Sequence, residues 1–150
     1  MKKVFVSCFF IATFGALYLS SCKKDSYSKV PVIKFISMTP NPAIKYQDTI
    51  KMVISYTDGD GDLGENTPDA KNLFVTDNRN KVTSQFRIPQ LAPDNANIII
   101  HGNLDVILSP QGFIDDNNET ETAEYSIYVK DRAGNQSNII QTNTLTINKQ

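Results

Sequence analysis

Ile50-Lys-Met-Val-Ile-Ser-Tyr56 and Tyr125-Ser-Ile-Tyr-Val-Lys130 are the stretches that decide the fold. In the first, Ile50, Met52, Ile54 and Tyr56 alternate with Lys51, Val53 and Ser55. In the second, Tyr125, Ile127 and Val129 alternate with Ser126, Tyr128 and Lys130. Successive side chains of a strand point to opposite faces, so a period of two predicts two half-buried β-strands. Ile50, Met52, Ile54, Tyr125, Ile127 and Val129 are then expected to share one core between two sheets.

Outward from these two strands the signal stays β. Val30 to Ile36 is a first strand, with Pro31 tolerable near its start, and Thr39-Pro40-Asn41-Pro42 forces a turn. Leu73-Phe74-Val75 is a short strand, and Val82 to Ile88 another, closed by Pro89. Ile98 to Ile100 and Leu104 to Leu108 read as two strands joined near His101-Gly102-Asn103, or as one long bent strand. Ile139 to Ile147, rich in Thr and Ile, closes the chain. No stretch after residue 22 has a 3.6-residue period; Asp69 to Leu73 is at most one helical turn. About seven to nine short strands, with turn signals roughly every 8–12 residues, predict an all-β antiparallel sandwich over residues 30–150. Another antiparallel sandwich type or a small barrel is the alternative.

Tyr125 to Asn138, YSIYVKDRAGNQSN, followed by the Thr/Ile strand, resembles the final hairpin of bacterial immunoglobulin-like domains. Those domains often end in an aromatic-rich strand, an Asp-x-x-Gly-Asn turn and a last strand, and the resemblance implies an immunoglobulin-like antiparallel β-sandwich over residues 30–150. Within the turn, Asp131 can accept from backbone N–H groups and Gly134 supplies a positive φ.

The chain opens with Met1-Lys2-Lys3 and an apolar run from Val4 to Leu19, interrupted by Ser7, Thr13 and Gly15. That run suits the hydrophobic region of a secretory signal better than a membrane span. It ends in Leu19-Ser20-Ser21-Cys22, which resembles the lipobox of bacterial lipoproteins. The resemblance implies a signal peptide over residues 1–21, cleavage before Cys22, and lipidation of Cys22 on sulfur and amine. Lys23 to Lys29 is polar and aperiodic, so residues 22–29 read as the lipidated cysteine and a tether. Several acyl chains, at about 0.8 kcal/mol per buried CH₂, hold a protein on a bilayer far more firmly than one. Small lipoproteins of Gram-negative bacteria imply an outer-membrane location, on the periplasmic or the cell-surface face. Lys23-Lys24-Asp25 resembles the charged tether that directs some of them to the outer face, with fewer acidic residues than that signal usually has.

Composition narrows the partners. Lys2 and Lys3 fall in the signal segment, which leaves 13 basic residues against 16 acidic ones, a net charge of −3. No basic stripe exists to neutralise phosphates, so nucleic acid is not an expected partner. Of the two cysteines, Cys8 lies in the signal and Cys22 is consumed by lipid, so no disulfide is expected and a hydrophobic core must hold the fold.

The densest chemistry is Asp58-Gly-Asp-Gly-Asp-Leu-Gly-Glu65. Carboxylates at i, i+2 and i+4, separated by glycines, can wrap around one hard cation. Ca²⁺, with about six to eight oxygens at flexible angles, suits such a loop better than Mg²⁺. The run resembles the acidic calcium loops of EF-hands and thrombospondin-type repeats, which implies Asp58, Asp60 and Asp62 as ligands, with Asn66 and Asp69 near later places. Leu63 stands where the EF-hand has Gly, and a strand precedes the run, so the ligand logic carries over and the fold does not. The other reading of these residues is a solvated acidic turn. In an immunoglobulin sandwich the B–C and F–G loops share one end, so Asp131 or Asn135 is expected to come near the acidic loop and complete the coordination shell, which makes Asp131 the fourth metal residue beside Asp58, Asp60 and Asp62.

Asp115 to Glu121 is a second acidic cluster, without glycine spacing, and reads as a mobile solvated loop. His101, the one histidine, reads as a turn residue. There is no Gly-x-Ser-x-Gly elbow, no surviving thiol and no histidine cluster for zinc. The expectation is therefore a non-enzymatic, membrane-anchored lipoprotein presenting an interaction or structural module stiffened by Ca²⁺, for a protein or glycan partner. The alternative is a glycan-binding accessory lipoprotein of a polysaccharide-uptake system, which predicts exposed, coplanar tyrosines. Cys22→Ser should release the protein from membranes or leave it as uncleaved precursor. Labelling of cells with a fatty-acid analogue checks this: a Cys22→Ser protein labelled as strongly as wild type would refute the anchor.

Overall fold

The computed structural model describes residues 27–150; the signal segment 1–21, Cys22 and the tether through residue 26 lie outside the described residues. Ten strands follow in order: β1 Val32–Thr39, β2 Ala43–Ile44, β3 Ile50–Asp58, β4 Leu73–Asp77, β5 Thr83–Phe86, β6 Ile100–Leu108, β7 Thr120–Ala123, β8 Tyr125–Val129, β9 Ile140–Gln141 and β10 Leu145–Asn148. The described residues contain no helix. One sheet has the order β1-β3-β6 and a second β5-β4-β8-β9; a smaller third, β2-β10-β7, sets β10 between β2 and β7. All pairings are antiparallel except β2 with β10. The all-β, largely antiparallel sandwich is as the alternating strands predict.

Ile50, Met52, Ile54, Tyr125, Ile127 and Val129 are all buried in one cluster with Ile33, Val75, Val106, Leu145 and Ile147. The period-two reading of both strands therefore holds, residue by residue. The Tyr125 hydroxyl is buried without a hydrogen-bond partner among the described residues. Burial, ahead of the nearby Asp77 charge, pushes it up to about 12, so the phenol stays protonated.

Several boundaries differ from the sequence reading. The first strand starts at Val32 and runs on to Thr39. Ile100 to Leu108 is one continuous strand, and His101 is an exposed strand residue instead of a turn residue. The Gly102 that suggested a turn lies opposite Tyr56, where an added Cβ would lie 3.0 Å from the hydroxyl oxygen and 3.1 Å from the ring. Glycine there makes room for an aromatic neighbour. The last predicted strand is broken in two. Ile140–Gln141 pairs with β8, and Leu145–Asn148 pairs with β7 in the third sheet. Thr142 holds the crossing point: its N–H donates to the Tyr125 carbonyl at 3.0 Å, and its Oγ1 accepts from the Tyr125 N–H at 3.0 Å.

The acidic cluster at 115–121 is likewise not solvated throughout. Glu121 lies in β7, and its carboxylate accepts from the Ile114 and Asp115 N–H groups and from Arg79 at 2.8 Å. Arg79 also donates to both oxygens of Asp77 and to the Gly112 carbonyl. Burial pushes the Glu121 carboxyl up, but those donors outweigh it and hold the group below its ordinary value.

Ile127 sits fully buried between β4 and β9. Ile127→Ala should lower unfolding free energy by roughly 2–5 kcal/mol, the usual cost of such a truncation. Exposed Val82→Ala should stay within about 0.5 kcal/mol. Denaturant unfolding of the two variants measures the difference, and equal midpoints would contradict the core assignment.

Candidate metal site

The alternation that buries Ile50, Met52 and Ile54 continues through Tyr56 to Asp58, the last residue of β3. Asp58 therefore faces inward and is fully buried, an unusual place for a carboxylate. One of its oxygens, Oδ2, accepts from the Leu63 N–H at 2.9 Å. Leu63 itself is fully buried and belongs to the core cluster, so it pins the far side of the loop. Gly61 (φ 78°) and Gly64 (φ 84°) take left-handed conformations that L residues disfavour. A Cβ on Gly61 would also meet the Ile98 carbonyl at 2.7 Å. The glycine spacing thus curls the chain tightly enough to turn three carboxylates toward one another.

Asp58, Asp60 and Asp62 converge: each places a carboxylate oxygen within 4.8 Å of the other two. Oδ1 of each is buried and has no hydrogen-bond partner among the described residues. Carboxylates this close repel, and each unpartnered Oδ1 loses hydration with no donor in exchange. Burial pushes Asp62 up to about 6, with Asp131 and Asp60 adding repulsion. Burial likewise raises Asp58, against the pull of the Leu63 N–H. Residues arranged in this way could hold a cation.

The Asp131–Asn135 turn lies beside this loop, as its position after β8 predicts. The Arg132 N–H donates to the Asp62 carbonyl and the Ala133 N–H to Asp62 Oδ2, both at 3.1 Å. Arg132 also reaches back to the Gly64 carbonyl at 2.7 Å. Asp131 is buried, but its carboxylate is engaged within its own turn: Oδ1 accepts from the Asn135 N–H at 2.7 Å and Oδ2 from the Asn135 amide at 2.8 Å. Gly134 completes that turn with φ 87°. Asp131 thus contributes charge to the site, while the converging oxygens come from Asp58, Asp60 and Asp62. Asn66 and Asp69 are exposed and lie outside the converging group.

Other residues at this end carry no signal in the sequence. An open cleft of about 550 Å³ is lined by Asp60, Asp62, Asp94, Asn95, Asn97 and Arg132, with Ala133. Asn95 and Asn97 have φ of 59° and 45°, left-handed values that Asn tolerates better than most residues. At the start of the loop, the Gly59 N–H donates to the Ser28 carbonyl at 2.9 Å, so the first described residues of the chain lie against it. Phe74 and Tyr128 stack on each other, 4.6 Å between centroids and 9° apart in plane. Each covers one face of the other, and Lys130 lies over Phe74.

Compared with protein-family models, with curated proteins and with solved structures, the chain matches none.

The raised Asp62 carboxyl has a measurable sign. Folded, it takes a proton near pH 6; unfolded, only near its ordinary value of 3.8. Its contribution to stability is therefore fully present below that ordinary value and is lost as pH rises through about 6. In chelator, melting temperature should rise as pH falls from 7 to 5, and Asp62→Asn should flatten the rise. Glu121 and Asp116, held below their ordinary values, act at lower pH and do not mask it. Melting curves that fall over this window for wild type would contradict the assignment.

Proposed function

We propose that this chain is a lipid-anchored, non-enzymatic lipoprotein of the bacterial outer membrane whose β-sandwich serves as an interaction or structural module. Cys22 carries the lipid, and one end of the sandwich is stiffened by Ca²⁺ held on Asp58, Asp60 and Asp62, with Asp131 adding negative charge. The observation that carries the metal part of this reading is twofold: Asp58, Asp60 and Asp62 each bring a carboxylate oxygen within 4.8 Å of the other two, and each keeps a buried Oδ1 without a partner among the described residues. Ca²⁺ would replace the repulsion among them with attraction, and its tolerant geometry suits a glycine-spaced loop. The lipid anchor rests on the Leu19-Ser20-Ser21-Cys22 motif.

The placement of the loop supports a stiffening role. Gly59 is bonded to Ser28, six residues beyond Cys22. Six residues span at most about 20 Å when fully extended. The acidic loop is therefore at the end of the sandwich where the tether enters. A cation there would fix the junction between anchor and domain, joining the tether end, the β3–β4 loop and the β8–β9 turn.

A ligand that favours the folded state raises its stability by RT ln(1 + [L]/Kd), about 2.7 kcal/mol at a hundred times Kd. Millimolar Ca²⁺ should accordingly raise the melting temperature of the detergent-extracted chain by several degrees, with Mg²⁺ less effective. Asp60→Ala should abolish that rise. In chelator it should leave the melting temperature unchanged or higher, because a repelling charge has gone. Identical wild-type curves in Ca²⁺ and in chelator would return the loop to an acidic turn.

A further inference from the structure

Asp60 and Asp62 belong both to the converging triad and to the wall of the 550 Å³ cleft. A cation on the triad would thus have one side against the loop and the other open to the cleft. The triad offers three free carboxylate oxygens, whereas Ca²⁺ takes about six to eight oxygens in all. The remaining coordination positions must be filled by other oxygens, and the cleft is where an incoming ligand can supply them. Its volume lies within the range of small-molecule sites, about 300–1,000 Å³.

The walls define the chemistry of that ligand. Six of the seven lining residues are polar or charged, which favours a hydrophilic molecule. Charge argues against an acid: three aspartates already exceed the two positive charges of the ion, and Asp94 and Asp131 add more. Arg132 does not reverse this balance, because its guanidinium is bound to the Gly64 carbonyl and lies 3.7 Å from Asp94. Neutral hydroxyl oxygens meet the coordination need without adding charge. Asn95 and Asn97 line the same cleft, and both are exposed. An amide both donates and accepts, which matches a hydroxyl group in either role.

We propose that this cleft binds the neutral hydroxyl groups of a saccharide, through a cation seated on Asp58, Asp60 and Asp62 and through the amides of Asn95 and Asn97. The proposal rests on the cation reading above and adds the ligand to it. It places saccharide recognition at the polar cleft, away from the self-stacked Phe74–Tyr128 pair. Two sources offer this chemistry: a polysaccharide in solution, or the head-group sugars of a glycolipid in the membrane that holds the anchor, which the short tether brings within reach.

The test uses the full chain in detergent, added to wells coated with mannan, dextran, galactan or hyaluronan, and to wells coated with digalactosyl diacylglycerol or phosphatidylcholine. Retention is expected on at least one neutral saccharide in Ca²⁺, at least tenfold weaker in EGTA, and absent on phosphatidylcholine. The coating that retains it, polysaccharide or glycolipid, identifies the source. Asn95→Gly with Asn97→Gly removes both amides while tolerating the left-handed backbone. This double variant should keep the Ca²⁺-induced melting shift and lose at least tenfold in retention. A Ca²⁺ melting shift with no retention on any neutral saccharide overturns the ligand and leaves the cation reading standing. Retention on hyaluronan alone, retention unchanged in EGTA, or a double variant that binds like wild type also overturns it. Absence of any melting shift removes the cation reading and this proposal with it.

Discussion

Burial of alternate residues on β3 and β8 is the constraint from which the rest of the molecule follows. Ile50, Met52 and Ile54 on one sheet and Tyr125, Ile127 and Val129 on the other are all withdrawn from water into one cluster. A slip of one residue on either strand would turn its apolar set outward, so the register is firmly fixed. With register fixed, the ends of the strands are fixed too. Asp58 is the last residue of β3, and Asp131 follows β8 by two residues. The hydrogen bonds from Arg132 and Ala133 to Asp62 join the two loops that emerge there.

The acidic loop works against this economy of burial. Asp58 occupies a core-facing position by strand parity, and a hydrophobic residue there would stabilise the fold more than an unpartnered carboxylate. The loop nonetheless has firm support from below. Leu63 is sunk into the core and its N–H holds Asp58 Oδ2 in place, while the left-handed glycines bring the chain round. Supporting groups thus hold the carboxylates close together without satisfying their Oδ1 atoms. An arrangement that costs stability by itself and is rigidly maintained is a usual mark of a functional position.

How legible this was in the sequence depends on how local each signal is. Period-two alternation is local, and it identified both central strands and six core positions. The approach of the Asp131 turn to the acidic loop was also accessible, because strand roles in a sandwich decide which loops share an end. Signals that depend on distant partners were not. Gly102 looks like a turn residue until Tyr56 is seen opposite it. Glu121 looks like part of a solvated run until Arg79, forty-two residues away, reaches its carboxylate. The C-terminal Thr/Ile run looks uniform, yet Thr142 marks the point where it leaves one sheet for another. Within the site, parity counted two residues past Tyr56 would have placed Asp58 inside. Nothing comparable marks Asn95 and Asn97, whose left-handed backbone reflects the path of the segment before β6.

Electrostatics and chain path together decide what occupancy of the loop would change. Without a cation, the three Oδ1 atoms press the loop apart, and the opposing forces are the Leu63 N–H, the Ala133 N–H and the burial of Leu63 itself. A cation would convert that internal repulsion into attraction, and its effect would not stop at the loop. Gly59, between Asp58 and Asp60, donates to Ser28, and an added Cβ on Gly59 would press on the tether backbone. Asp62 accepts from the β8–β9 turn, and Arg132 of that turn returns to Gly64. Drawing the aspartates together therefore acts on the tether end, the loop and the turn at once. The glycines give the carboxylates their approach, and the same close packing lets the backbone of Tyr27 and Ser28 lie directly on the loop.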